Sequence, residues 1–243
     1  MVLFNKWLKY SYADQKTQTG RVRNIILWVI LCLAIYLLFT NFFFPVKALE
    51  NNSMQPDFNH GDRFIFYSFG IHRLLPDVPP FNKQHMHRGN VVLVNKQIDN
   101  NKNIFLNVLN RIARFWTAGR MGIPGREEQL FIKRVIGLPG DTISMSNYVL
   151  RVQSADNPYT FTEFELSDSP YNINIPQVPA LWDSSIPFSG NMEKIVLGDN
   201  QCFVVSDDRS NSNDSRTWGP IPKNYIIGKA LLRYWPLNKI KLL

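Results

Sequence analysis

The residue of this 243-residue chain with the most chemistry to offer is Lys133, in the run Phe131-Ile132-Lys133-Arg134-Val135-Ile136. In a strand, side chains alternate between two faces, so Lys133 shares a face with Phe131 and Val135. An amine between apolar neighbours loses water, and desolvation favours its neutral form. At an ordinary pKa of ~10.4, only about one lysine in 2500 is neutral at pH 7. A fall of roughly 3 pH units, worth ~4 kcal/mol, makes the amine a competent base. Such a base can take the proton of a serine hydroxyl, the Ser-Lys form of a nucleophile–base pair. The other reading is a lysine whose stem lies along a sheet edge while its ammonium reaches solvent. The strand alone does not choose between them.

Other chemistries find less support. His60, His72, His85 and His87 stand in polar loops. His85 and His87 could share a strand face, but no H-E-x-x-H or cysteine pair accompanies them, so no metal and no cofactor are expected. No G-x-S-x-G run offers a nucleophile elbow. Cys32 and Cys202 are too separated to pair within one chain, and no disulfide is expected.

The elements that would hold Lys133 are short and alternating. Arg63–Tyr67, Asn90–Val94, Leu130–Ile136, Asp141–Met145, Tyr148–Val152, Tyr159–Leu166, Cys202–Val205 and Lys229–Tyr234 read as strands between Gly-Asp, Pro-Gly-Asp and Asn-rich turns. The expected fold is mainly β, with coiled sheets or a small barrel. Residues 103–118 break the pattern with Ile104, Phe105, Val108, Leu109, Ile112, Phe115 and Trp116 at helical spacing. That helix either packs on the β core or lies on a membrane surface. Residues 153–195, rich in Ser, Asn, Asp and Pro, read as an insertion, as do residues 97–128.

The charge separates the ends of the chain. The formal net charge is +8, and residues 1–23 hold half of it, with five basic residues against Asp14. Residues 24–46 carry no charge, and Ile25–Phe39 is unbroken apolar. A twenty-residue helix rises ~30 Å, the thickness of a bilayer's hydrocarbon core. We expect a transmembrane helix over 24–46 with residues 1–23 in the cytoplasm. Residues 47–243 then form an extracytoplasmic catalytic domain. The alternative is a cleaved leader ending at Val46-Lys47-Ala48, but the apolar run exceeds the ~7–15 residues of a leader's core. The basic cluster thus has a use without nucleic acid, and no nucleic-acid motif accompanies it.

Four pieces stand in order behind this segment: Asn51-Asn52-Ser53-Met54-Gln55-Pro56, Arg88-Gly89-Asn90-Val91-Val92, Phe131 to Asp141 (FIKRVIGLPGD), and Ser206 to Arg216 (SDDRSNSNDSR) followed by Trp218-Gly219. Together they resemble the bacterial type I signal peptidases, membrane-bound Ser-Lys proteases that remove signal peptides from exported preproteins. The resemblance implies a coiled-sheet β catalytic domain with a β extension. It implies Ser53 as nucleophile, Lys133 as general base and Ser212 as the serine that positions the amine. Arg209, Asp214 and Arg216 match charged residues that brace the site. The oxyanion hole would use the Ser53 backbone N–H and a donor at position 51, where this chain has Asn51. Leu49, Met54 and Ile132 would line pockets for the small side chains of an Ala-x-Ala site. Three departures stand beside the match: Asn90 where Asp is usual, Ser206 where Gly is usual, and Asp208 where Asn is usual.

The partners so implied are secretory preproteins and membrane lipid, with a monomer in the bacterial inner membrane. A non-catalytic anchored β module that binds preproteins or export machinery is the alternative, against which Ser53, Lys133 and Ser212 stand. A self-cleaving repressor shares Ser-Lys chemistry, but it needs a DNA-binding N-terminus where this chain has an apolar segment.

Overall fold

The computed structural model describes residues 20–36, 44–69, 86–96, 129–176, 190–211 and 213–243. The chain divides into two units, Met1–Phe43 and Phe44–Leu243. In the first unit the described residues form one helix, α1, over 20–36. Val22, Trp28, Leu31, Ile35 and Tyr36 are among its many exposed apolar side chains. No helix among the described residues is long and apolar enough to cross a membrane. The expected span of 24–46 also ends too late, because Val46 opens a strand.

The second unit is mainly β, as expected. In chain order its strands are β1 (Val46–Ala48), β2 (Arg63–Ser68), β3 (Val91–Asn95), β4 (Leu130–Gly137), β5 (Thr142–Ser146), β6 (Val149–Gln153), β7 (Thr160–Thr162), β8 (Met192–Val196), β9 (Gln201–Val205), β10 (Ile221–Pro222), β11 (Ile226–Trp235) and β12 (Lys241–Leu242). One sheet has the order β1-β2-β11-β3-β4-β9-β10, with β12 on β11, and a second has the order β7-β6-β5-β8. The strand pairs in both sheets are antiparallel. One short helix, α2 (Ser215–Trp218), follows β9.

Local chemistry accounts for these elements. Val91, Val92, Leu93 and Val94 are all buried, so β3 is covered on both faces, which a β-branched run suits. Asn147 and Tyr148 have φ of 52° and 66°, the left-handed pair that a two-residue hairpin between β5 and β6 requires. At Gly137 a Cβ would come within 2.1 Å of Ile143 Cδ1 and 2.7 Å of Leu197 Cδ1, so any larger residue would displace these core side chains where the sheets meet.

Three apolar clusters make up the core. The first joins Leu49, Met54, Phe58, Phe64, Phe66, Val91, Leu93, Ile132 and Ala230. The second, with Ile136, Ile143, Leu150, Leu197 and Phe203, seals the second sheet against β4 and β9. The third holds Val92, Val94, Val135, Cys202 and Val204.

One strand expectation changes. The strand expected over Tyr159–Leu166 survives only as Thr160–Thr162, because the chain turns at Glu163 and buries its carboxylate. The helix expected over 103–118 falls outside the described residues, as do all of residues 97–128 and residues 177–189.

Candidate active site

Strand β4 carries Lys133 into the middle of the first sheet. On one side Lys133 faces Val92 of β3. On the other, Arg134 pairs with Val205 of β9, and the next antiparallel step sets Lys133 opposite Ser206. Phe131 packs on Trp218 at 5.2 Å between ring centroids, and Val135 lies in the third core cluster, so the face Lys133 shares is apolar. The side chain does not reach solvent: Lys133 is 1% exposed. Its Nζ donates to Ser206 Oγ at 2.7 Å. Burial lowers the Lys133 pKa from 10.5 to about 8, and the Asp214 carboxylate opposes part of that fall. At pH 7 about one such amine in ten is neutral, against about one in 2500 for a free lysine.

Ser53 sits in the turn-rich segment between β1 and β2 and is also 1% exposed. Two contacts tie it to the neighbourhood of Lys133. Its carbonyl accepts the Asp208 N–H at 3.0 Å, which joins it to the segment just past Ser206. Its neighbour Met54 is fully buried in the cluster that contains Ile132, the residue before Lys133. The Ser53 N–H donates to Asn51 Oδ1 at 3.1 Å. The side-chain carbonyl of Asn51 thus occupies the donor that an oxyanion would need, and its NH₂ is not the group turned to Ser53. Leu49, Met54 and Ile132, expected as pocket lining, are buried together in the first core cluster.

The segment from Ser206 to Arg216 is held by charge. Asp214 caps α2, accepting the Arg216 N–H at 3.0 Å, and its Oδ2 takes the Ser206 N–H at 2.9 Å. The Arg216 guanidinium grips the same carboxylate with Nε at 3.0 Å and Nη2 at 2.8 Å. It also donates to the carbonyls of Arg209 and Asn211. Burial works against the Asp214 carboxylate, but these hydrogen bonds and the Arg216 charge outweigh it and hold its pKa below the ordinary range. Arg209 is paired with Glu163 rather than with Asp214, and Tyr171 Oη donates to that same Glu163 at 2.7 Å. Arg134 forks onto Asp207, donates to the Gly89 carbonyl at 2.7 Å and lies 3.8 Å above the Tyr171 ring.

Of the residues singled out from sequence, Ser53, Lys133, Asn51 and Asp214 converge on one region through these contacts. Ser212 lies outside the described residues. Arg134, Asp207, Glu163 and Tyr171 were not singled out, and Ser206 was noted only as a departure from the usual glycine. The missing signal for Ser206 is the pairing of β4 with β9, since register alone makes it the neighbour of Lys133. Glu163 and Tyr171 belong to the insertion, and nothing local marks Glu163 as the partner of Arg209, 46 positions away. Of the histidines, His60 and His87 are exposed, the latter 3.5 Å from Asp168, while His72 and His85 lie outside the described residues. No group of three or more His, Cys, Asp or Glu among the described residues could hold a metal ion.

The described site is thus an antiparallel β domain in which a buried lysine of lowered pKa meets the hydroxyl of Ser206. The family described as "Signal peptidase, peptidase S26" matches residues 22–235. The chain belongs to that family. It is 28% identical over 215 residues to a probable signal peptidase I-1 of Synechocystis sp., covering 88% of this chain and 82% of that one. It is 28% identical over 228 residues to the signal peptidase I of Leptolyngbya laminosa, covering 94% and 84%. A shorter match, 32% over 113 residues, reaches the signal peptidase IB of Staphylococcus aureus and covers 46% of this chain and 56% of that one.

Proposed function

We propose that this signal peptidase, a serine endopeptidase acting on the signal peptides of preproteins, works through Ser53 as nucleophile and Lys133 as general base. The observation that carries the assignment is the buried amine of Lys133, with its pKa near 8, beside a chain segment bonded to the Ser53 backbone. As Ser53 Oγ attacks the scissile carbonyl carbon, the neutral Lys133 amine takes the hydroxyl proton. The tetrahedral oxyanion collapses, the ammonium passes its proton to the leaving amine, and the signal peptide remains as an acyl ester on Ser53. Lys133, neutral again, then takes a proton from water as the water attacks the ester; the carbonyl carbon–Oγ bond breaks, the signal peptide leaves with a free C-terminal carboxyl group, and Lys133 returns the proton to Ser53 Oγ.

The oxyanion needs donors. Rotation of the Asn51 side chain would release the Ser53 N–H and turn the Asn51 amide toward the oxygen, giving two. Leu49, Met54 and Ile132 would admit only small side chains where the acyl segment binds, consistent with Ala-x-Ala-like sites. The apolar surface of α1, with Arg21 and Arg23 at its start, supports a single-pass anchor with its N-terminus in the cytoplasm. The location is then the bacterial inner membrane, with the β domain outside the cytoplasm and one chain forming the site.

The detergent-solubilised chain, incubated with a preprotein beside Ser53→Ala, Lys133→Ala and Asn51→Ala, tests this. We expect processing to fall on the order of 10³-fold or more for the first two and on the order of 10²-fold for the third. Processing that survives Ser53→Ala or Lys133→Ala sinks the dyad. Unchanged turnover in Asn51→Ala removes that residue from the oxyanion hole.

A further inference from the structure

We propose that Ser206 is the positioning residue of the Lys133 amine, a role that resemblance alone would give to Ser212. The proposal rests on the Ser53–Lys133 reading and adds a residue to it. Antiparallel register makes Ser206 the cross-strand neighbour of Lys133, so both side chains project to the same face. The contact is made: Lys133 Nζ donates to Ser206 Oγ at 2.7 Å, and Ser206 is 0% exposed. Ser206 is itself fixed, because its N–H donates to Asp214 Oδ2 at 2.9 Å and that carboxylate is clamped by Arg216. A chain of three hydrogen-bonded residues therefore ends on the amine.

The contact bears directly on base catalysis. A neutral primary amine has two N–H bonds and one lone pair, and the Cε–Nζ bond rotates freely unless something holds it. Seating one N–H on Ser206 Oγ narrows that rotation and directs the lone pair away from Ser206. The burial of both groups shields this hydrogen bond from competing water. The hydroxyl oxygen also binds an ammonium more strongly than an amine. By that preference Ser206 should offset part of the fall that burial imposes on the Lys133 pKa, and its loss should move the titration to lower pH.

The test is steady-state cleavage of an Ala-x-Ala peptide by the detergent-solubilised full chain, from pH 6 to 10, with Ser206→Ala, Ser206→Thr and Ser212→Ala. We expect Ser206→Ala to lose kcat by about tenfold or more with KM held within about twofold. The inflection in its pH profile should move to lower pH, and Ser206→Thr, which restores a hydroxyl, should recover most of both. Should Ser206→Ala fail to fold, as read by circular dichroism, Ser206→Gly makes the same deletion without a methyl group. If Ser206→Ala and Ser206→Gly keep the wild-type kcat and inflection while Ser53→Ala is inactive, the proposal is overturned and the dyad stands. If Ser212→Ala alone reproduces the losses, the role belongs to Ser212. Cleavage that survives Ser53→Ala removes the dyad and any catalytic role for Ser206 with it.

Discussion

At the scale of single residues, the site turns on one proton. The form of Lys133 that can accept it is the neutral one, and burial brings its pKa to about 8. The sign of the pH dependence follows directly. Below pH 8 the ammonium dominates and activity should fall about tenfold per pH unit; above pH 8 the amine dominates and activity should level off. The expected kcat/KM is roughly tenfold lower at pH 7 than on the plateau near pH 9. Cleavage of a peptide with no titratable group in this range, followed from pH 6 to 10, checks it. A profile flat across pH 7–9, or one that falls as pH rises through 8, would show that the rate does not follow the neutral amine.

At the scale of elements, strand β4 does most of the positioning, and the insertion supports it from one side. Glu163 follows β7, is 1% exposed, accepts the Leu150 N–H at 2.9 Å and the Tyr171 hydroxyl at 2.7 Å, and pairs with Arg209. Removing one partner of a buried ion pair leaves the other charge without compensation, which typically costs about 3–5 kcal/mol. Glu163→Gln should therefore destabilise the domain by about that much in urea unfolding. Arg209→Met in the same background should recover part of the loss, since the stranded charge goes with it. Additive losses in this double-mutant cycle would argue that the two do not interact. Because Arg209 leads into the segment that bonds Ser53 and carries Asp214, Glu163→Gln should also lower kcat.

The same elements show what the sequence made legible. Apolar patterns, alternating or unbroken, exposed β2, β3, β4, β5, β6, β9 and β11 to within a residue or a few at each end, because five to ten residues leave a readable trace. The strands β1, β10 and β12 have only two or three residues and owe their place to a neighbour, so no local pattern announces them. Lys133 could be singled out because a charge in an apolar strand is itself a signal. Ser206 stands out in sequence only as a departure from the usual glycine, and its contact with Lys133 is not legible until the partner strand is known. The same holds for Glu163, whose partner comes from sheet packing and not from sequence spacing.

At the scale of the whole molecule, the two units divide the work. The members of the three core clusters lie in residues 49–243, and α1 contributes none of them. Nearly all of its apolar residues are exposed, and α1 covers 17 residues, a rise of about 25 Å. A surface of that kind is stable only where something other than water meets it, and a bilayer does so without any contribution from the β core. The β domain should then fold without the first unit. A chain of residues 44–243 is expected to unfold cooperatively, with a midpoint within a few degrees of the full protein measured in the same detergent. It should cleave a short soluble peptide at nearly the full rate, while the full chain, and not the truncated one, sediments with membranes after carbonate extraction. Loss of cooperative unfolding on truncation would show that residues 1–43 complete the core. Carbonate-soluble full-length protein would show that the apolar segment is no anchor.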